Sequence, residues 1–245
     1  MRILLCTLLL GLSLPIGAQE LRVLTTELPP FFYEDGGAPA GIEYEILSYH
    51  AKAVGLELDI HWVAHWPELL PALEDGQGDL VAAACTVTDE RKERFDFATP
   101  HFPVRMHLVE RSDDETVSVT ELAGAKVGVL AGSTGAQAFA PAQSSKVVEY
   151  RSPRDLFRAV SDGEVRAIAC ESADAYLFLK EFSNLRMGIP LSAQQHYGFA
   201  LPKDSPHLEA LNDSLTRLKQ SGIYYRIVEK YLGQRAVTHF KESTP

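Results

Sequence analysis

The chain has 245 residues, 46% of them hydrophobic and 23% charged, with a formal net charge of −10. That length supports one large domain or two lobes of ordinary size, each with its own core. The acidic balance argues against nucleic acid or an anionic membrane surface as a partner, because both select for basic patches.

The chain opens with Arg2, an apolar stretch over residues 3–14 and the small-residue stretch Pro15-Ile16-Gly17-Ala18. This is the order of a secretory signal cleaved near Ala18, so residues 1–18 are set aside and the expected location is the periplasm. The apolar stretch falls short of the roughly 20 residues a membrane helix needs. Once Cys6 leaves with the signal, Cys85 and Cys170 remain to face an oxidising compartment. No cysteine opens the mature chain, so a freely diffusing protein without a lipid anchor is expected.

Leu21 and Val23 alternate as a strand, Pro29-Pro30 break the chain, and Ile42, Ile46, Tyr49 and Ala53 mark one face of a helix that Gly55 ends. Leu56, Leu58, Ile60 and Trp62 alternate as a half-buried strand. Pro67 then opens a short helix that stops at Gly76, and residues 79–84 form an apolar strand running into the polar segment 86–94. A second unit of the same kind follows the charged stretch 110–115. It contains strands over 127–130, 147–150 and 165–170, the turn Gly132-Ser133-Thr134-Gly135, and helices over 154–160 and 173–182, the first capped by Ser152. A strand over 197–201 precedes a helix with Ser205 as cap, Pro206 first and Leu208, Leu211, Leu215 and Leu218 on one stripe. Residues 223–232 form a last helix, and the tail after Gly233 is expected to fray. Repeated strand–helix–strand order predicts an α/β protein with largely parallel sheets.

Three places suit chemistry. Thr86 lies at the end of a buried strand and Arg91 one turn into the next helix, where a guanidinium offers a planar fork to a carboxylate. The alternative is a surface arginine bridging Glu90 or Glu93. Gly132-Ser133-Thr134 joins a strand to a helix, a backbone geometry that favours an anion. No lysine follows it as in a phosphate-binding loop, and Ser133 lacks the preceding glycine of a nucleophile elbow. Glu171 ends the apolar run 165–170, at the carboxyl edge where α/β sheets bind ligands, and is placed either to receive an ammonium or to cap a helix. Arg91 and Glu171 stand eighty residues apart, and together they describe a receptor for a zwitterion. His61 and His65 have i, i+4 spacing but fall on a strand and near its end, so neither a metal site nor a cofactor is expected.

At these residues the sequence resembles the family 3 extracellular solute-binding proteins of ABC importers. The landmarks run along nearly the whole mature chain: Pro30-Phe31, Gly41-Ile42-Glu43, Leu70-Pro71-Ala72-Leu73 with Gly78-Asp79-Leu80, Thr86-Val87-Thr88 with Arg91, and Phe95-Asp96-Phe97 with Pro100. Val127-Gly128-Val129 with Gly132-Ser133-Thr134, Tyr197-Gly198 and the run 222–233 complete them. The resemblance implies a two-lobed periplasmic-binding-protein type II fold, each lobe a mostly parallel sheet flanked by helices. Lobe one would be 19–107 with 198–245 and lobe two 108–197, joined by crossing strands near Leu108 and Phe199. It also implies that Arg91 and Thr86 hold the α-carboxylate of an amino acid, helped by Thr134, and that the Ala84 carbonyl and Glu171 take its α-ammonium. The family more often has Asp at the place of Glu171. Trp66 and Leu28 would line the side-chain pocket, where relatives commonly carry an aromatic in place of Leu28. Alternation turns Cys85 away from Thr86 and Cys170 away from Glu171, which predicts two separate thiols in the lobe interiors.

The implied function is capture of an amino acid or related zwitterion by closure of the lobes and delivery to the membrane permease of an ABC importer, without catalysis. Two alternatives share the fold. One is an enzyme resembling cyclohexadienyl dehydratases, with Asp174 at the place of their proton-donating acid. The other is a sensor that presents its bound ligand to a membrane receptor.

Overall fold

The computed structural model describes residues 19–116, 118–139, 145–234 and 237. The expected signal at 1–18 and the end of the tail lie outside the described residues. Two five-stranded sheets organise the chain. In the first, the strands stand in the order Leu56–Trp62, Gln19–Thr25, Leu80–Val81, Ala200–Pro202, Phe95–Phe97. In the second, the order is Lys146–Tyr150, Lys126–Leu130, Ala167–Glu171, Met106–Arg111, Leu185–Pro190. Each sheet is parallel apart from one strand, Ala200–Pro202 in the first and Met106–Arg111 in the second. Both antiparallel strands follow the places where the chain changes lobes, so the remaining strands of each lobe keep the parallel α/β layout.

The period-2 alternation of the strands sorts side chains onto the two faces of each sheet. Leu80, Ala82 and Ala84 join one core with Ile42, Ile46, Leu211 and Leu215, whereas Val81, Ala83 and Cys85 join another with Leu69 and Leu73. In the second lobe Ile168 and Cys170 pack with Leu156 and Phe157, while Ala167 and Ala169 pack with Val127 and Leu122. Both thiols are buried and free, in cores of different lobes. Burial raises the Cys85 thiol to about 11 and the Cys170 thiol well above its ordinary value, which keeps both protonated and slow to react.

Some elements are shorter than expected, Leu80–Val81 for the strand over 79–84 and Ser172–Phe178 for the helix over 173–182, and three further details depart from the sequence reading. The segment expected as one strand over 197–201 is two, Gln195–Tyr197 and Ala200–Pro202, divided at Gly198. Gln195–Tyr197 pairs antiparallel with Phe102–Val104, and this two-stranded ribbon is the crossing between lobes. Leu108, expected at a crossing, already lies inside the second sheet opposite Ala169. The helix over the leucine stripe begins at Leu208, not Pro206, because Ser205 closes a turn by accepting the His207 N–H at 3.4 Å. Ser152, by contrast, caps Pro153–Ser161 as its sequence predicts, accepting the Asp155 N–H.

Helix Ile42–Val54 packs on Leu208–Gln220 with His50 buried between them, its Nδ1 2.9 Å from the Ser214 hydroxyl and its Nε2 without a partner. Burial, with His207 nearby, lowers the His50 imidazole to about 4, so it is neutral in the fold. Unfolded, the same ring takes a proton below about pH 6.5. The fold therefore binds fewer protons than the unfolded chain between those values, and stability falls as pH drops from 6.5 to 4. This group contributes on the order of 2 kcal/mol to that loss. Chemical denaturation across this range is expected to show a shallower acid-side decline in His50→Gln than in wild type; equal declines would show that His50 does not titrate as buried.

Candidate functional site

Leu28, Trp66, Ala84, Thr86 and Arg91 from the first lobe meet Thr134 and Glu171 from the second around a single cavity of about 40 Å³. A space of this size holds roughly three waters. Met106, Ser133, Asp174 and Tyr197 also line it.

Arg91 reaches the cavity because Thr88 ends the extended chain and caps helix Asp89–Arg94, its hydroxyl accepting the Arg91 N–H at 3.2 Å. The guanidinium folds back over the strand end, donating from Nη1 to the Thr86 carbonyl at 2.8 Å. Its Nη2 donates across the lobes to the Gly132 carbonyl at 3.1 Å. It also lies over the Trp66 ring, 4.9 Å from the centroid, and Trp66 is fixed in turn by donating Nε1–H to the Ala83 carbonyl. Arg91 is buried and makes no bridge to Glu90 or Glu93. These bonds leave part of its five-donor fork free to face the cavity. Gly132 sits at φ +69°, and a Cβ there would press on Pro67 of the other lobe, so glycine is required for both the turn and the close approach.

Glu171 is the last residue of its strand and occupies the cap position of helix Ser172–Phe178, yet its side chain makes no capping bond. Its carboxylate accepts three hydroxyls: Thr86 and Thr134 (3.1 Å) on Oε1, and Tyr197 (2.6 Å) on Oε2. Thr86 and Thr134, expected on a ligand carboxylate, thus turn their protons to Glu171, the strongest acceptor within reach. Glu171 is half-buried and lines the cavity. Burial raises its pKa above the ordinary carboxylate value, while the three hydroxyls and Arg91 pull it back. Tyr197 is pushed well above its ordinary value by burial and by Glu171, so it stays a donor. Asp174, one helical turn on, is raised to about 7 by burial and by the charge of Glu171.

A second carboxylate supports this site from beneath. Glu43 is fully buried in the first turn of helix Ile42–Val54, with Oε2 accepting the Ala84 N–H and Oε1 2.9 Å from His101 Nε2. Ala84 has φ +49°, a left-handed conformation that a residue with a Cβ adopts at a cost. Glu43 therefore holds the backbone at the point where it enters the cavity wall. Gly41 makes this placement available: at φ +121°, a Cβ on it would stand 2.2 Å from the Phe31 carbonyl. His101 lies beside the crossing strand Phe102–Val104, is stacked on Phe199, and its carbonyl accepts the Tyr224 hydroxyl.

Sequence reasoning assigned no role to Tyr197, Glu43 or His101. Glu43 and Tyr197 stood among the landmarks, and an acid on the apolar face of a helix was the available signal for Glu43, because a charge is seldom buried without a task. Glu43→Leu removes the partner of a buried histidine and of a strained amide together, and is expected to cost about 3–5 kcal/mol in denaturant unfolding. Glu43→Gln, which keeps an acceptor, costs much less; a leucine variant within about 1 kcal/mol of wild type would remove Glu43 from this supporting role.

Comparison with known proteins places this geometry. The chain matches the bacterial extracellular solute-binding proteins, family 3, over residues 21–234. It is 30% identical over 241 residues to the amino-acid-binding protein AabA of Dichelobacter nodosus, covering 94% of this chain and 95% of that one. It is also 28% identical to membrane-bound lytic murein transglycosylase F of Desulfosudis oleivorans, of which it spans only 48%. Among solved structures, ArgBP of T. maritima superposes with a TM-score of 0.81 at 29% identity, covering 88% of this chain and 96% of that one. An ancestral arginine-binding protein bound to arginine gives 0.80 at 30% identity, covering 87% and 98%. The match over residues 21–234 and the relative covered almost end to end agree: this chain belongs to the family 3 bacterial extracellular solute-binding proteins.

Proposed function

We propose that the protein captures a free amino acid between its two lobes in the periplasm and delivers it to the membrane permease of an ABC importer. The observation that carries this reading is the opposition of Arg91 and Glu171, from different lobes, across one cavity. The open part of the Arg91 fork takes the α-carboxylate, and the Ala84 carbonyl and Glu171 take the α-ammonium. Thr86 and Thr134 exchange Glu171 for the ligand carboxylate as the ammonium arrives. Trp66 acts through Arg91, whose guanidinium covers its ring, and Leu28 lines the side-chain end. The lobes, each built on one of the two five-stranded sheets, rotate about the ribbon of Phe102–Val104 and Gln195–Tyr197. A ligand that touches both lobes favours closure because only the closed form offers it both sets of contacts. The amino-acid-binding relative and the arginine-bound neighbour support the ligand class.

Isothermal calorimetry against the standard amino acids is expected to find at least one tight ligand. Losing two charge-assisted bonds at about 1.5 kcal/mol each makes Arg91→Ala bind it roughly a hundredfold or more weakly. No binding by wild type, or unchanged affinity in Arg91→Ala, contradicts the reading.

One observation favours a second reading, a dehydratase on the same fold. Asp174 lies in the cavity wall with its carboxyl raised to about 7, the condition of a general acid near neutral pH. Incubation with prephenate or arogenate tests it: an aromatic product that is lost in Asp174→Asn supports the enzyme, and no product removes it.

A further inference from the structure

The charges that line the cavity do not balance. Arg91 is its single cation, and Glu171 and Asp174 are two acids on the opposite wall, three residues apart. Glu171 is satisfied by three hydroxyls, whereas Asp174 has no hydrogen-bond or ion-pair partner among the described residues. A neutral zwitterion brings one carboxylate to Arg91 and one ammonium to Glu171 and leaves the second acid uncompensated in a site shielded from water, which is costly. The elevated pKa of Asp174 is the same imbalance seen from the protein side.

The indole face that a ligand cation could use is taken by the protein's own cation. Trp66 offers its face to Arg91 at 4.9 Å, and the other side-chain position is Leu28. A second positive group on the ligand would have to be met by a carboxylate, and Asp174 is the one with free acceptors. Resting on the binding reading above, we infer that the ligand is a cationic amino acid and that Asp174 receives the positive group of its side chain. Asp174 is then the specificity-determining residue, and Arg91 and Glu171 recognise the part common to all amino acids.

The test is calorimetry at neutral pH with L-arginine, L-lysine and L-ornithine against L-glutamine and L-leucine, on wild type and on the near-isosteric Asp174→Asn. Wild type is expected to bind at least one of the three cations about tenfold or more tightly than either neutral ligand. Asp174→Asn is expected to lose about tenfold or more for the cation while L-glutamine changes by less than about threefold. A neutral amino acid bound as tightly as every cation overturns the inference and leaves the binding reading standing. So does an equal loss for both classes in Asp174→Asn, which would place Asp174 on the shared ammonium. Should that variant fail to fold, the wild-type ranking alone decides. Absence of binding to any of the five, and to the remaining standard amino acids, overturns the binding reading and the inference with it.

Discussion

A carboxylate enclosed by protein must be given donors, and Glu171 receives them from three separate segments of chain. Thr86 comes from the first lobe, Tyr197 from the crossing ribbon and Thr134 from the second lobe's own turn. Because these donors sit on different bodies, the acid is satisfied as shown only when the lobes are together. The bond from Arg91 to the Gly132 carbonyl works in the same sense, since it too spans the cleft. The polar lining of the cavity is therefore also the contact between lobes, and in the proposed function it is the surface that meets the ligand. A ligand entering such a site competes with internal partners, so its affinity is the difference between the bonds it makes and those it displaces.

The same logic recurs one layer deeper. Glu43 is another buried acid, and its two oxygens join the Ala84 amide to His101. Ala84 lies at the cavity and His101 at the start of the crossing ribbon, so one side chain ties the cavity wall to the ribbon between the lobes. Strain at Ala84 is tolerable because that bond, and the packing of Ala82 and Ala84 in the first core, hold it in place. The cores of the two lobes are separate, so these few polar links set how the lobes meet.

The parts of this arrangement that obey local rules were legible in the chain. Strand alternation placed Cys85 and Cys170 in the interiors, and the Ser152-Pro153 start fixed a helix to the residue. Arg91 could be picked out as an arginine one helical turn beyond the polar end of a buried strand, and Glu171 as a charge at the end of an apolar run. Their pairing across the cleft came only with the family resemblance, since nothing local joins residues eighty positions apart. The failures have a common cause. Ser205-Pro206 reads as a helix start, but the hydroxyl closes a turn first. The run 197–201 reads as one strand because pattern does not reveal that its halves pair with different partners, Phe102–Val104 and Phe95–Phe97. Tyr197 and His101 carry no periodic signal, and their roles exist only in the folded contact with an acid elsewhere.

Whether Glu171 is what holds the lobes together can be read directly from an interlobe distance. Spin labels on cysteines introduced at Val54 and Tyr176, exposed positions on opposite lobes, leave the two buried native thiols unlabelled. With wild type saturated by the amino acid that it binds, pulsed dipolar spectroscopy is predicted to show one short, narrow separation. In Glu171→Ala at the same amino-acid concentration that population is replaced by a longer and broader one. Identical distance distributions in the two proteins would contradict the account.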